Sequence, residues 1–339
     1  MIQITIEQKD AGQRLDKFLR KHLPQAGGSF LYKMLRKKNI VLNGNKAEGK
    51  ELLAEKDAIG FFFSEETYAK FRGIATAGKD VPELGSGDTR QTRPVADPAK
   101  SQRGDRARRA YEEWPELRVL YENEHLLFID KPAGILSQSD ATGTLSLNDW
   151  VYGYALSKGL VKENDNYIPS IANRLDRNTS GIVMAALTYA GSRFLSEMIR
   201  GHRLRKYYEA VAEGRVEKDG ELQGYLVKDT KTNKVRVVAA DDRPADSGDM
   251  IHTRYRILSY EKGYTKLEVE LITGKSHQIR AHFSSIGHPI AGDLKYGGHP
   301  YHGQHVQQLR AVRVEFPELE DDPFGMSGHC ITAEGFADI

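Results

Sequence analysis

Asn173-Arg174-Leu175-Asp176-Arg177-Asn178-Thr179-Ser180-Gly181 is a polar run set between two apolar ones. Before it lies Tyr167-Ile168-Pro169-Ser170-Ile171-Ala172, and after it the strand-like Ile182-Val183-Met184-Ala185-Ala186-Leu187. Asp176 is the run's single carboxylate and stands between Arg174 and Arg177. Opposite charges nearby favour the ionised form of an acid. Thr179, Ser180 and Gly181 add hydroxyls and a permissive backbone for a tight turn. Taken alone, the run reads as a charged turn between two strands.

Working outward, the chain from Trp114 has the pattern of a compact domain. Val119-Leu120-Tyr121 and Leu126-Leu127-Phe128-Ile129 read as strands, the second running into Lys131-Pro132-Ala133-Gly134. Thr144 is expected to cap a helix ending near Gly159, and Thr188 to cap another with Ala190, Phe194 and Met198 in one stripe. Residues 204–213, 253–258 and 265–271 read as strands. In the last, Leu267, Val269 and Leu271 alternate with Lys266, Glu268 and Glu270. Strands interspersed with helices predict an α+β domain over 111–339, built on a mixed, largely antiparallel sheet with flanking helices.

Toward the N-terminus, Ile2, Ile4 and Ile6 alternate as in a strand. Leu15, Phe18, Leu19 and Leu23 fall at helical spacing, with Lys17, Arg20 and Lys21 on the other faces. Ser29 is expected to cap a helix over 30–38, whose remaining surface carries Lys33, Arg36, Lys37 and Lys38. A strand over 40–45 enters an Asn-Gly hairpin, and another covers 58–63. Residues 64–110 have few large apolar side chains and no period, so they are expected as a linker, flexible in part. Its Arg103, Arg106, Arg108 and Arg109 read as solvated linker charges.

The chain has 339 residues, enough for two domains, and 39% apolar residues, enough for a core. Net charge is only +2, but its distribution is uneven. Residues 1–63 hold 12 Lys/Arg against 7 Asp/Glu, whereas residues 315–339 hold 7 acids and no Lys or Arg. A basic head on a near-neutral body points to a polyanionic partner. The single cysteine, Cys330, excludes an intramolecular disulfide framework and a cysteine-rich zinc site. The first residues lack the regions of a signal peptide, and no apolar run approaches the ~20 residues of a membrane span. A reduced, cytoplasmic protein is expected.

Three polar blocks remain: Lys131-Pro132-Ala133-Gly134, the opening run, and Thr273-Gly274-Lys275-Ser276-His277-Gln278-Ile279-Arg280-Ala281-His282 with Gly287-His288-Pro289-Ile290-Ala291-Gly292-Asp293. Gly274-Lys275-Ser276 lacks the upstream glycine of a Walker loop, and His277, His282 and His288 do not have the His-Glu-x-x-His spacing of a zinc site. In this order, and with Lys206-Tyr207-Tyr208-Glu209-Ala210 between the last two, the set resembles the RluA-type family of pseudouridine synthases. The resemblance covers nearly all of 111–315. The head, through Arg14-Leu15-Asp16-Lys17-Phe18-Leu19, Leu35-Arg36-Lys37-Lys38 and Val41-Leu42-Asn43-Gly44, resembles the S-four-like RNA-binding domain, a small α/β unit.

The resemblance implies isomerisation of uridine to pseudouridine in structured RNA, with ribosomal RNA of the large subunit favoured, and no cofactor or metal. It assigns Asp176 as the carboxylate that attacks a flipped-out nucleotide, Arg280 as its ion-pair partner, and Tyr208 as the ring against the uracil. The residue types fit these duties. A carboxylate in a closed pocket needs a cation beside it, a guanidinium pairs bidentately, and a phenol has an aromatic face and a polar tip. Tyr207 is expected to face the other side of its strand. Arg174 is assigned to the gap left by the base, Arg177 to the flank, and Lys131 to a phosphate or structural contact. Lys17, Lys33, Arg36, Lys37 and Lys38 are the expected RNA contacts of the head. Asn173 and Arg310 stand where many relatives have His, and His299, His302 and His305 read as a polar loop. A monomer away from membranes is expected. The alternatives are a noncatalytic rRNA-binding or assembly factor that retains the fold, and a synthase acting on tRNA.

Overall fold

The computed structural model describes residues 2–73, 98–163, 165–229, 234–239 and 248–337. In chain order the N-terminal part comprises β1 (Ile2–Thr5), α1 (Leu15–His22), α2 (Gly28–Arg36), β2 (Ile40–Leu42), β3 (Asn45–Lys46), β4 (Ala58–Phe61) and α3 (Glu65–Arg72). The larger part comprises α4 (Pro98–Glu113), β5 (Arg118–Glu122), β6 (Leu126–Lys131), α5 (Leu147–Ser157), β7 (Ser170–Ile171), β8 (Ser180–Ala186), α6 (Tyr189–Arg200), β9 (Arg205–Glu213), β10 (Gly220–Asp229), β11 (Lys234–Ala239), β12 (Asp249–Glu261), β13 (Tyr264–Leu271), α7 (Gln278–Ser285), β14 (Leu309–Glu315) and β15 (Cys330–Thr332). It is the expected α+β architecture.

The head is a four-stranded antiparallel sheet, ordered β1-β4-β2-β3, under α1 and α2. Leu15, Phe18 and Leu19 from α1 and Leu31, Met34 and Leu35 from α2 close its core. α2 starts two residues earlier than expected, at Gly28, and is not capped by Ser29. It also ends earlier, with Lys37 as C-cap and Lys38 at φ 59°, so these two cations occupy the turn after the helix.

The stretch expected as a linker is helical at both of its described ends; residues 74–97 lie outside the described residues. α3 is capped by Ser64 and sends Tyr68 and Phe71 onto the head's core. α4 lies along α5 because Gly153 has no side chain there: a Cβ would stand 2.1 Å from the Ala107 carbonyl oxygen. Ala107 and Ala110 are fully buried in that seam. Small side chains bury little area each but permit close approach of backbones, which a count of large apolar residues overlooks. α5 itself is capped by Ser146 rather than Thr144, in a reciprocal capping box with Asp149.

The large sheet runs β11-β10-β12-β13-β9-β14-β8-β6-β5, with β7 paired to β8 and β15 to β14. β10 and β11, which the sequence reading does not anticipate, form its outer edge beside a β12 longer than expected. In β13, Lys266 and Glu270 are buried along with the apolar positions. The Lys266 ammonium donates to the Phe336 carbonyl, and Glu270 accepts from Arg205 and Arg254. Among the described residues every strand pair is antiparallel except β8 with β14. There Gly181, at φ +105°, lies so close that a Cβ would stand 2.1 Å from the Ala311 carbonyl oxygen. Gly181 thus sets the approach of two central strands, immediately after the Asp176 loop. Gly181→Ala is expected to cost roughly 2 kcal/mol or more, by combining left-handed strain with a backbone clash. Urea unfolding of the purified variant measures it.

Candidate active site

The Asp176 loop is held at four points. Ser137 Oγ donates to the Leu175 carbonyl at 2.6 Å and accepts from the Leu175 N–H at 3.0 Å. The Gly134 N–H donates to the Arg177 carbonyl at 2.8 Å. Thr179, buried, accepts at Oγ1 from Gln307 Nε2 at 2.6 Å, while its N–H closes a turn on the Asp176 carbonyl at 3.1 Å. Asn173 Oδ1 accepts from the Met184 N–H at 2.7 Å, satisfying a strand donor at the loop's entrance. A backbone fixed on both sides of Asp176 leaves its side chain little freedom to turn away.

Beyond these four points, Lys131 also holds the loop, as a structural contact. It is fully buried, and its ammonium donates to the carbonyls of Pro132, Ile135 and Arg177 at 3.0, 2.9 and 3.0 Å. An ammonium has three donors, so none remains for a phosphate. Burial brings its pKa down to about 8, with Asp176 opposing. Arg106 is likewise not a solvated linker charge. Its guanidinium binds Asp149, Ser139 Oγ at 2.6 Å and the Gly143 carbonyl at 2.8 Å, which ties α4 to the loop between Ser137 and Ser146.

α7 brings the cation. Gln278, at its start, donates to the His252 carbonyl and Thr253 Oγ1, both at 2.9 Å, which fixes the helix on β12. Arg280 follows on the buried face. Its Nε and Nη2 bind the two oxygens of Asp293 at 2.6 and 2.8 Å, and its Nη1 donates to Asp176 Oδ2 at 2.6 Å. Burial would lower the Arg280 pKa, but Asp293 and then Asp176 raise it above its ordinary value. The ring of Tyr296 lies 4.9 Å from the guanidinium carbon. Asp293 has a side chain only 1% exposed, and among the described residues its ion pair is with this fork.

Tyr208 projects from β9 into the same region. It is buried, and its phenol is pushed up by burial and then by the charge of Asp176. Tyr207 points the other way, with the Arg313 guanidinium 3.9 Å from its ring. His277, in left-handed conformation at φ 59°, completes the pocket: Nε2 is 3.8 Å from Asp176 Oδ1 and Nδ1 is 2.8 Å from the Tyr296 hydroxyl. Asp293 and His277 both fall in the third polar block but carry no charge pattern that announces their duties.

The remaining expected residues lie outside this pocket. Arg174 and Arg177 are exposed on the loop's surface. Lys17, Lys33, Arg36, Lys37 and Lys38 are all exposed on the head. Arg310 is committed to Asp130 at 2.6 Å, and His299 to Glu213 at 2.8 Å. The head meets the body through Lys9 and Asp165 at 2.6 Å and through Arg193 and the Gly12 carbonyl at 2.9 Å. The arrangement offers one carboxylate, held by one guanidinium, beside one aromatic face. Lys131→Met should therefore lower turnover by on the order of tenfold through a loosened loop, while leaving the salt dependence of RNA binding unchanged. Turnover assays and a salt titration of binding test the two halves.

A sequence profile described as RNA pseudouridylate synthase matches residues 125–285. The uncharacterized RNA pseudouridine synthase YhcT of Bacillus subtilis is 32% identical over 232 residues, covering 65% of this chain and 73% of that protein. Ribosomal large subunit pseudouridine synthase D of Pseudomonas aeruginosa is 32% identical over 233 residues, 62% of this chain and 66% of that one. Among solved structures, human RNA pseudouridylate synthase domain containing 4 has the same fold, with a TM-score of 0.53 at 20% identity over 69% of this chain and 92% of its own. With the three polar blocks, the matched profile and these relatives in agreement, the chain belongs to the RluA-type family of RNA pseudouridine synthases.

Proposed function

We propose that the enzyme isomerises specific uridines of large-subunit ribosomal RNA, with Asp176 as the attacking carboxylate on a flipped-out nucleotide. The observation that carries this reading is the 2.6 Å pairing of Asp176 with Arg280, whose other two arms are fixed by Asp293. A carboxylate that must act on a base or sugar needs a cation beside it and a fixed orientation, and this pairing supplies both. The target base must leave its stack to reach the pocket. Tyr208 offers the aromatic face for it, and the exposed Arg174 is suited to the gap left behind.

The choice of ribosomal RNA rests on two supports. One is the printed substrate of the Pseudomonas relative. The other is the basic head, an S-four-like unit in this reading, whose Lys17, Lys33, Arg36, Lys37 and Lys38 all face solvent and suit a phosphate backbone. The protein acts in the cytoplasm as a monomer in this reading, and requires no cofactor.

Pseudouridine mapping of total RNA tests substrate and residue together. A deletion strain carrying Asp176→Ala should lack one or more pseudouridines in large-subunit rRNA that the wild-type copy restores. The purified variant should be slower by roughly 10³-fold or more with RNA binding retained. Sites lost from tRNA instead would move the substrate. A full complement of sites in the Asp176→Ala strain would remove Asp176 from its assigned role.

A further inference from the structure

Alternate side chains of β9 go to opposite faces of the sheet. Lys206 therefore shares the Tyr208 face, while Tyr207 lies behind it with Arg205 and Arg313. The Lys206 ammonium reaches the backbone of Gly274, where an added Cβ would stand 3.3 Å from Nζ. Gly274 belongs to the loop between β13 and α7 that carries His277. Lys206 thus stands between the strand that presents Tyr208 and the loop that lies against Asp176.

Its charge is unmatched. Lys206 is half-buried, and among the described residues no carboxylate or carbonyl pairs with it. Burial alone lowers its pKa, and no acid opposes the shift. The neighbouring cations differ in this respect. Arg280 is taken by Asp293 and Asp176, and Lys131 by three carbonyls. A partly desolvated, unpaired ammonium is costly to the folded protein, and the cost is recovered when an anion fills the gap.

The substrate carries a row of such anions. Positions two apart on a strand are about 7 Å apart, the scale of one nucleotide. We propose that Lys206 forms a phosphodiester subsite, its ammonium pairing with the phosphate next to the uridine whose base lies against Tyr208. The inference rests on the assignment of Asp176 and Tyr208 to the uridine pocket.

Lys206→Met keeps the length of the side chain and removes its charge. Wild type, Lys206→Met and Lys206→Arg are compared for binding of a single-stranded oligouridylate across a salt series, and for thermal unfolding. Expected for Lys206→Met are binding about five- to tenfold weaker at low salt, a salt slope shallower by ~0.7, and a melting temperature at or above wild type. Lys206→Arg should keep the wild-type slope. If Lys206→Met fails to fold, Lys206→Gln is read in the same way. An unchanged slope in the neutral variant, with or without lost affinity, overturns the subsite. An Asp176→Ala enzyme that retains its pseudouridine sites would instead overturn the pocket assignment, independently of the Lys206 slopes.

Discussion

The guanidinium of Arg280 is divided between two carboxylates, and the arrangement of the site depends on that division. Asp293 takes two of its donors and is nearly sealed from solvent, and Asp176 takes a third at 2.6 Å. Removing one partner of a buried pair leaves an uncompensated charge, at a cost of about 3–5 kcal/mol. Asp293 therefore cannot release Arg280 cheaply, and Arg280 is held where Asp176 needs it. A lone Arg–Asp pair in a cleft would have no such constraint, since either side chain could rotate to solvent.

The fold brings these groups together from distant parts of the chain. The Asp176 loop leads into β8, whose parallel pairing with β14 is set by the close approach at Gly181. β14 pairs on its other side with β9, which carries Tyr208 directly opposite Ala311. α7, pinned to β12 by Gln278, brings Arg280 from 104 residues away. Lys131 and Ser137 then hold the loop itself from beneath. The carboxylate, its cation and the aromatic ring are thus positioned by strand pairing together with buried side chains that bind the backbone and one another.

Much of this was legible in the residues. Alternation in β13 and the apolar runs of β6 and β8 read as strands, and the resemblance carried by the three polar blocks and Lys206-Tyr207-Tyr208-Glu209-Ala210 pointed to Asp176, Tyr208 and Arg280. The parts that sequence reading missed have a common cause: they depend on what lies across the fold. Lys131 looks like any basic residue at a strand end, and only the three carbonyls around it make it a structural cation. Arg106 sits in a stretch of linker-like composition, yet Ala107 and Gly153 allow its helix to dock and Asp149 receives its charge. Ser146 rather than Thr144 caps α5 because Asp149, three residues on, answers it. Asp293 is the strongest case, since its meaning is set by the guanidinium that it holds from across the fold.

Asp293 holds two arms of Arg280 while the third reaches Asp176, so the position of Asp176 depends on Asp293 through Arg280. Single-turnover pseudouridine formation by folded Asp293→Asn enzyme, at saturating RNA, tests it most directly. The expected result is a chemical step slower by on the order of 10²-fold with RNA affinity unchanged. A wild-type rate in that variant would contradict it.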